Sequence, residues 1–320
     1  MAAEEGTDME AILDLTGSQL RSWEDILLTP HLTELDLTTN RLTTIDPAIG
    51  TLTSLRKLSL RQNLLTTEAV APLGQYTALH NLTELVLHDN KITQLPDLRH
   101  FTALTSLDVS FNELSELAGV EHLPSSLKQL YFAKNEIGTL PSLSHLSHLE
   151  ILELGSNKIK VMSGLGGLPA LRELWLGRNK IREIDLGGLT GLVRLSLQSN
   201  RLTHIAGLEG CAGLEELYLS HNGINTLEGL DGLARLRILD VSANRVDRVQ
   251  GLEHLTRLED LWLNDNQIPS LAGLGVALVG CTGTLTTLYL ENNPAAKDPQ
   301  YVLKLREQLP NLRQLDAIML

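Results

Sequence analysis

The sequence predicts an α/β solenoid: a chain wound through many similar turns, each giving one short strand to a parallel sheet. Three observations predict it. The pattern L-x-x-L-x-L-x-x-N-x-L, with other apolar residues at some of its leucines, recurs twelve times. Its asparagines are Asn40, Asn63, Asn90, Asn112, Asn135, Asn157, Asn179, Asn200, Asn222, Asn244, Asn266 and Asn293; nine of the eleven intervals are 21 to 23 residues and the other two are 27. Apolar residues make up 42% of the chain and aromatics only 3%, so leucine supplies the interior. Self-similarity at this period marks stacked repeats, each touching only its neighbours. A prior of about 150 residues per domain would divide the 320 residues in two. The repeat overrides that prior, because a solenoid grows without starting a second core.

This consensus and period are those of a leucine-rich repeat of the 22-residue subtype, with about 12 regular copies forming an arc. In the copy at residues 214–224, Leu217, Tyr218 and Leu219 alternate inward, outward, inward, as a strand requires. Leu214, Leu217, Leu219 and Ile224 face the core. Asn222 ends the strand, and its side chain is placed to hydrogen-bond turn backbone that burial would otherwise leave unpaired. About eleven residues then return the chain. They suit one short helical turn per repeat on the convex side, opposite a concave parallel sheet. The two 27-residue intervals add about five residues each, at 66–81 and 269–284, between strands.

A terminal repeat exposes its core and needs a cover. Leu13-x-Leu15-x-x-Ser18-x-Leu20 reads as a degenerate N-terminal repeat, with Ser18 lying 22 residues before Asn40 and Trp23 beside it in the cap. At the other end, Asp298-Pro299 is a helix-start signal, followed by Val302, Leu305 and Leu309 on one face and by Leu312 and Leu315. The expected organisation is a flexible N-terminus at 1–12, the solenoid at 13–293 and a helical cap at 294–320.

The net charge of -13 disfavours nucleic acid and anionic membrane as partners, since both select clustered Lys and Arg. Cys211 and Cys281 sit singly among glycines and read as small buried hydrophobes of a reducing compartment. The first ten residues are acidic and lack the apolar centre of a secretory signal. The longest nearly apolar run, residues 272–280, is far short of a membrane span. The expectation is an intracellular, soluble protein.

Function is read from the outward residues of the strands. The mid-strand outward column is Asp36, Ser59, Val86, Asp108, Tyr131, Glu153, Trp175, Ser196, Tyr218, Asp240, Trp262 and Tyr289. It holds five of the chain's eleven aromatics and four carboxylates, and no cation. A neighbouring column adds Glu34, Glu84, Glu173, Glu216 and Asp260 against Lys57 and Arg194. Strand propensity alone favours aromatics, yet these side chains cannot enter the core. Exposed Trp and Tyr among carboxylates compose a specific protein interface. Signals for chemistry are absent: no glycine-rich loop ends in G-K-S or G-K-T, no H-E-x-x-H occurs, and no Ser-His-Asp grouping is legible. His145 and His148 lie between strands, where solvent-facing histidines are the simpler reading than a metal pair. No catalytic residue, cofactor or metal is therefore assigned.

Several segments resemble a known family. Leu152-Glu153-Leu154-Gly155-Ser156-Asn157, Leu197-Gln198-Ser199-Asn200-Arg201-Leu202-Thr203 and Leu217-Tyr218-Leu219-Ser220-His221-Asn222-Gly223-Ile224 are similar to repeats of the regulatory subunit 7 family of protein phosphatase 1. The run Glu291-x-Asn293-Pro294-x-x-Lys297-Asp298-Pro299-Gln300-Tyr301, followed by Leu309-Pro310 and Gln314-x-Asp316-Ala317, resembles that family's cap. The resemblance covers about residues 13 to 317. It implies a non-catalytic subunit whose concave face grips the phosphatase catalytic subunit through Asp108, Tyr131, Glu153, Trp175, Asp240, Asp260, Trp262 and Tyr289. Tyr131 and Trp175 stand where the family often has Phe, and Asp260 where it often has Glu, changes that keep the chemical type. The outward column adds Tyr218 to these partner-binding candidates. The short docking motif Lys/Arg-Val/Ile-x-Phe/Trp of many other phosphatase regulators is absent.

The leading expectation is a regulatory subunit that binds the catalytic subunit of protein phosphatase 1 and controls its activity, maturation or localisation, in nucleus or cytoplasm. A third regulatory protein is left open as a further partner. The rival reading is a cytoskeletal or ciliary scaffold associated with dynein or tubulin, and a hydrolase assembled on the concave face is a more distant one.

Overall fold

Each L-x-L centre forms a strand of three residues. The computed structural model describes residues 11–320. The chain divides into two compact units, one ending at Ile137 and taking in His145–Leu149, the other made of Gly138–Ser144 with Glu150–Leu320. Each unit is a parallel β-solenoid, the predicted class. The first holds β1 (Ile12–Asp14), β2 (Glu34–Asp36), β3 (Lys57–Ser59), β4 (Glu84–Val86), β5 (Ser106–Asp108) and β6 (Gln129–Tyr131). The second holds β7 (Ile151–Glu153), β8 (Glu173–Trp175), β9 (Arg194–Ser196), β10 (Glu216–Tyr218), β11 (Ile238–Asp240), β12 (Asp260–Trp262), β13 (Thr287–Tyr289), β14 (Gln314–Leu315) and β15 (Ile318–Met319). Within each unit, strands pair in sequence order and without slip. In the second unit the register runs Leu174↔Leu195↔Leu217↔Leu239↔Leu261↔Leu288. These central leucines are fully buried.

The asparagines set this register. Asn244 Nδ2 donates to its own turn at Val241 O (3.1 Å) and to the preceding repeat at Leu219 O (3.0 Å), while its Oδ1 accepts from Ile224 N at 3.0 Å. Asn63 does the same in the first unit, with Leu60 O (3.1 Å), Leu37 O (2.9 Å) and Leu42 N (3.0 Å). Each side chain thus closes one turn and ties it to the turn before. The residue ahead of every one of the twelve asparagines has positive φ, between 51° and 59°, and none is glycine. Such a backbone costs about 1–2 kcal/mol for an L-residue. The buried hydrogen bonds of the next residue offset it.

The return segments differ from expectation. A helical turn in each repeat is not what forms. Most returns are successive single turns, as at Leu233 N→Leu230 O (3.0 Å) and Leu236 N→Leu233 O (2.9 Å). A leucine at every third residue drops a side chain into the core at each step, which closes i+3 bonds and leaves no room to propagate a helix. Gly229 turns the chain at φ 89°, and a Cβ there would collide with the Ile205 carbonyl. Before the cap, α-helix occurs only in the two 27-residue repeats among the described residues. These are α1 (Thr67–Val70), continued by a 3₁₀ turn at Ala71–Gln75, and α2 (Leu274–Ala277). The extra five residues supply the length. Short 3₁₀ turns at Pro47–Thr51 and Val120–His122 complete the inventory ahead of residue 294.

At the N-terminal end, β1 pairs with β2, and Asn40 Oδ1 accepts from Leu20 N at 2.9 Å. Trp23 is buried there and donates through Nε1 to Thr44 O at 2.8 Å. The flexible segment expected at 1–12 falls almost wholly outside the described residues; Ile12 begins β1. At the other end the helix starts later than Asp298-Pro299 suggests. Pro294–Lys297 forms a 3₁₀ turn, Asp298 stays extended and binds Gln300 N (2.8 Å) and Lys304 Nζ (2.6 Å), and α3 spans Tyr301–Gln308. Leu305 and Leu309 are buried whereas Val302 is half-buried. An unforeseen hairpin follows, β15 antiparallel to β14. Its turn residue Asp316 accepts from Leu290 N (2.6 Å), Glu291 N (2.9 Å) and the Tyr301 hydroxyl (2.9 Å).

Replacing Asn244 with Ala strands the buried Ile224 N–H and takes one of two donors from each of two carbonyls, Val241 O keeping Asn266 and Leu219 O keeping Asn222. The variant is expected to lose about 3 kcal/mol of unfolding free energy, read from the urea midpoint. Replacing exposed Arg235 with Ala is expected to change it by less than about 0.5 kcal/mol.

Candidate functional site

Register and alternation together align the outward side chains into columns across each unit. Seven of the candidates lie in the second unit. Trp175, Ser196, Tyr218, Asp240, Trp262 and Tyr289 face one another strand by strand, and two residues earlier Glu173, Arg194, Glu216, Ile238, Asp260 and Thr287 do the same.

Trp175 and Tyr218 flank Ser196, which is small and buried beneath them. Their ring centroids are 6.3 Å apart with planes 19° from parallel. In the next column Arg194 forms a two-pronged pair with Glu216, Nε to Oε2 at 2.6 Å and Nη2 to Oε1 at 2.7 Å. Its Nη1 reaches Glu173 Oε1 at 2.8 Å, and its guanidinium carbon lies 5.8 Å from the Trp175 ring centre. The same carboxylates hold the rings: Trp175 Nε1 donates to Glu173 Oε2 at 3.2 Å and the Tyr218 hydroxyl to Glu216 Oε2 at 2.8 Å. Arg194 holds the Glu216 carboxyl below its ordinary value. Burial, followed by the Glu216 bond, pushes the Tyr218 phenol up to about 12.

Trp262 and Tyr289 meet edge to face, 5.9 Å between centroids at 74°. The Tyr289 oxygen accepts from Gln314 Nε2 at 2.6 Å, and Trp262 Nε1 is buried with no acceptor. Asp240 is buried, its Oδ1 taking Ser242 N (2.9 Å) and Ser242 Oγ (2.6 Å). Glu153 accepts only the Gly155 N–H, at 2.6 Å. Burial pushes its pKa up to about 6, against that one stabilising bond. Glu153, Trp175, Ser196, Asp240 and Trp262 line an open hollow of about 540 Å³. No Lys or Arg among the described residues pairs with Glu153, Asp240 or Asp260.

Asp108 and Tyr131 lie in the first unit, paired across β5 and β6. Asp108 Oδ1 accepts from Ser110 N at 2.8 Å, and Oδ2 faces His88 Nδ1 at 3.2 Å. His88 packs on the half-exposed Phe111 ring, centroids 4.7 Å apart. The Tyr131 hydroxyl donates to Gln129 Oε1 at 3.3 Å.

Sequence reasoning placed Arg194 and Ser196 in the outward columns without giving either a role, and passed over the His88–Phe111 contact. Arg194 was legible as a cation between two glutamates of one column, once in-register pairing is applied. His88 and Phe111 stand outside the columns and gave no signal. Among the described residues no group of three His, Cys, Asp or Glu could hold a metal, and no helix is long and apolar enough to cross a membrane. Cys211 and Cys281 are free and buried, and burial raises both thiol pKa values.

The leucine rich repeat family matches residues 11–68 and 190–246, and its two-copy form matches 80–124 and 147–191. With the repeat geometry above, these matches define a leucine-rich-repeat protein. The internalin InlF of Listeria monocytogenes superposes with a TM-score of 0.71 at 25% identity, covering 90% of this chain and 87% of that one. The repeat domain in a latrophilin 3, Unc5D and FLRT2 complex shares the fold, with a TM-score of 0.76 at 22% identity over 94% of this chain and 97% of that one. A mouse leucine-rich repeat serine/threonine-protein kinase 1 is 31% identical over 56% of this chain and 8% of its own length. The Arabidopsis thaliana protein phosphatase 1 regulatory inhibitor subunit PPP1R7 homolog is 51% identical over 98% of this chain and 96% of its own. The chain belongs to this family of protein phosphatase 1 regulatory subunits.

The Glu153 carboxyl binds its proton more tightly when folded. Its contribution to stability is therefore full below the ordinary glutamate pKa of about 4.3 and is lost as pH rises through about 6. Glu153→Gln keeps the acceptor for Gly155 and removes the charge. It is expected to raise unfolding free energy by about 1–2 kcal/mol at pH 7.5 and to match wild type near pH 4, read from paired urea titrations.

Proposed function

We propose that this chain is a non-catalytic regulatory subunit that binds the catalytic subunit of protein phosphatase 1 through the outward face of its strands and thereby controls that enzyme's activity, maturation or localisation. The observation that carries this reading is the pairing of fixed aromatic rings with carboxylates that have no cation of their own. Trp175 with Tyr218, and Trp262 with Tyr289, offer broad apolar surfaces; hydrogen bonds at their edges hold Trp175, Tyr218 and Tyr289, and Trp262 is set by its edge-to-face contact with Tyr289. Such rings act as anchors because burying them in a partner displaces water at little entropic cost. Glu153, Asp240 and Asp260 in the second unit, and Asp108 in the first, would take Arg or Lys side chains of the partner. A chain with a net charge of -13 also steers toward a basic surface. The relative named a protein phosphatase 1 regulatory inhibitor subunit matches nearly the whole chain and supports that choice of partner.

A binding role makes no use of catalytic groups. Control would follow from occupying or reshaping the enzyme's surface.

Titration of the purified protein against protein phosphatase 1 catalytic subunit tests this. Wild type is expected to bind, and Trp175→Ala with Trp262→Ala to weaken binding by roughly 30-fold each, the equivalent of about 2 kcal/mol for a buried anchor. Unchanged affinity in the double variant would remove the proposed face. No wild-type binding, together with cosedimentation on microtubules, would move the function to the cytoskeletal scaffold.

A further inference from the structure

We infer that Arg194 is a positioning residue: clamped between Glu173 and Glu216, it fixes Trp175 and Tyr218 as a pre-assembled recognition platform and does not itself meet the partner. The role assigned to the platform rests on the binding reading above.

Arg194 is the one cation of the two outward columns in the second unit, and on an acidic docking face it looks misplaced. The geometry removes the anomaly. In-register pairing sets Arg194 directly between Glu173 and Glu216. Three of its N–H groups are spent on these carboxylates at 2.6 to 2.8 Å, in a half-buried cluster. The two-pronged contact to Glu216 is the planar match that a guanidinium makes and an ammonium cannot. Two carboxylates against one cation leave the cluster negative, so the face stays acidic.

Each carboxylate also holds a ring. Glu173 uses one oxygen for Arg194 and the other for the Trp175 indole N–H; Glu216 receives Arg194 through both oxygens and the Tyr218 hydroxyl through one. Arg194 also lies over the Trp175 ring. The chain of contacts therefore runs Trp175, Glu173, Arg194, Glu216, Tyr218 and closes through the stacked rings. Neighbouring strands are about 4.8 Å apart, so rings two strands apart start near 9.6 Å; they reach 6.3 Å by leaning over Ser196. A loop of hydrogen bonds at their edges keeps them there. Arg237, the other guanidinium whose charge acts on Glu216, is held by Glu259 at 2.8 Å and does not substitute. Fixing side chains before association removes an ordering cost on binding.

The test uses the full chain labelled with ¹⁵N-tryptophan, whose three indole N–H signals report Trp23, Trp175 and Trp262 separately. In wild type the Trp175 indole is expected to be as rigid as backbone, with an order parameter of about 0.85, and in Arg194→Gln to fall below about 0.6. The Trp23 signal should stay unchanged in both, which certifies the fold. Arg194→Lys keeps the charge but loses the fork, and is expected to leave the indole mobile. Affinity for the phosphatase catalytic subunit should fall about tenfold in Arg194→Gln, yet by less than about twofold when the same change is made in a Trp175→Ala, Tyr218→Ala background. A rigid Trp175 indole in Arg194→Gln, or an equal loss of affinity in both backgrounds, would overturn the inference, the latter because Arg194 would then touch the partner. Absence of wild-type binding would refute the partner, while the relaxation comparison would still decide whether the brace exists.

Discussion

Everything on the outward face depends on the side chain of one asparagine per repeat. By bonding its own turn and the turn before, each asparagine forbids slippage between successive strands, as Asn244 does with Val241, Leu219 and Ile224. A slip of one residue in a strand would turn every leucine outward. The asparagine ladder makes that slip costly twice, through exposed leucine and through broken buried hydrogen bonds. It also allows twelve non-glycine residues to hold left-handed backbone, including Phe111 and His221. The columns of outward side chains are a consequence of this constraint and need no further device.

That dependence explains what could be read in advance. The strands, their order and the outward candidates follow from alternation about a known centre, so Leu217 in and Tyr218 out is fixed by Asn222. The burial of Trp23 followed from the same register at the N-terminal end. What was not legible depends on side-chain length and solvation. Helical turns on every return seemed natural from segment length, but a leucine at each third step pins the backbone too often for a helix. The hairpin at β14 and β15 depends on Asp316 meeting Leu290, Glu291 and Tyr301, contacts distant in sequence. The raised pKa of Glu153 reflects burial and a missing cation, neither of which a sequence displays.

The face is built against its own stability in one respect. A carboxylate that keeps only one hydrogen bond, as Glu153 does, is less comfortable folded than unfolded once ionised. Gly155 lies close enough that a Cβ there would press on the Glu153 carboxylate, so the site has been given space to hold that charge. Asp240 represents the opposite solution, buried but satisfied by Ser242. The cost of a carboxylate without a cation, as at Glu153, falls on the folded chain itself.

The two aromatic pairs show how residue size converts register into geometry. Trp262 and Tyr289 occupy directly adjacent strands, where parallel rings at the strand spacing would force the unfavourable face-to-face overlap of like quadrupoles. They turn edge to face instead, at 74°. Trp175 and Tyr218 are separated by a strand whose outward residue is Ser196. The gap lets them approach nearly parallel and offset, at 19°, which leaves a flatter surface. A larger residue at Ser196 would prop the rings apart and pull Trp175 and Tyr218 from the carboxylates that fix them. The smallest side chain in that stretch of the column is thus as much a determinant of the surface as the aromatics it supports.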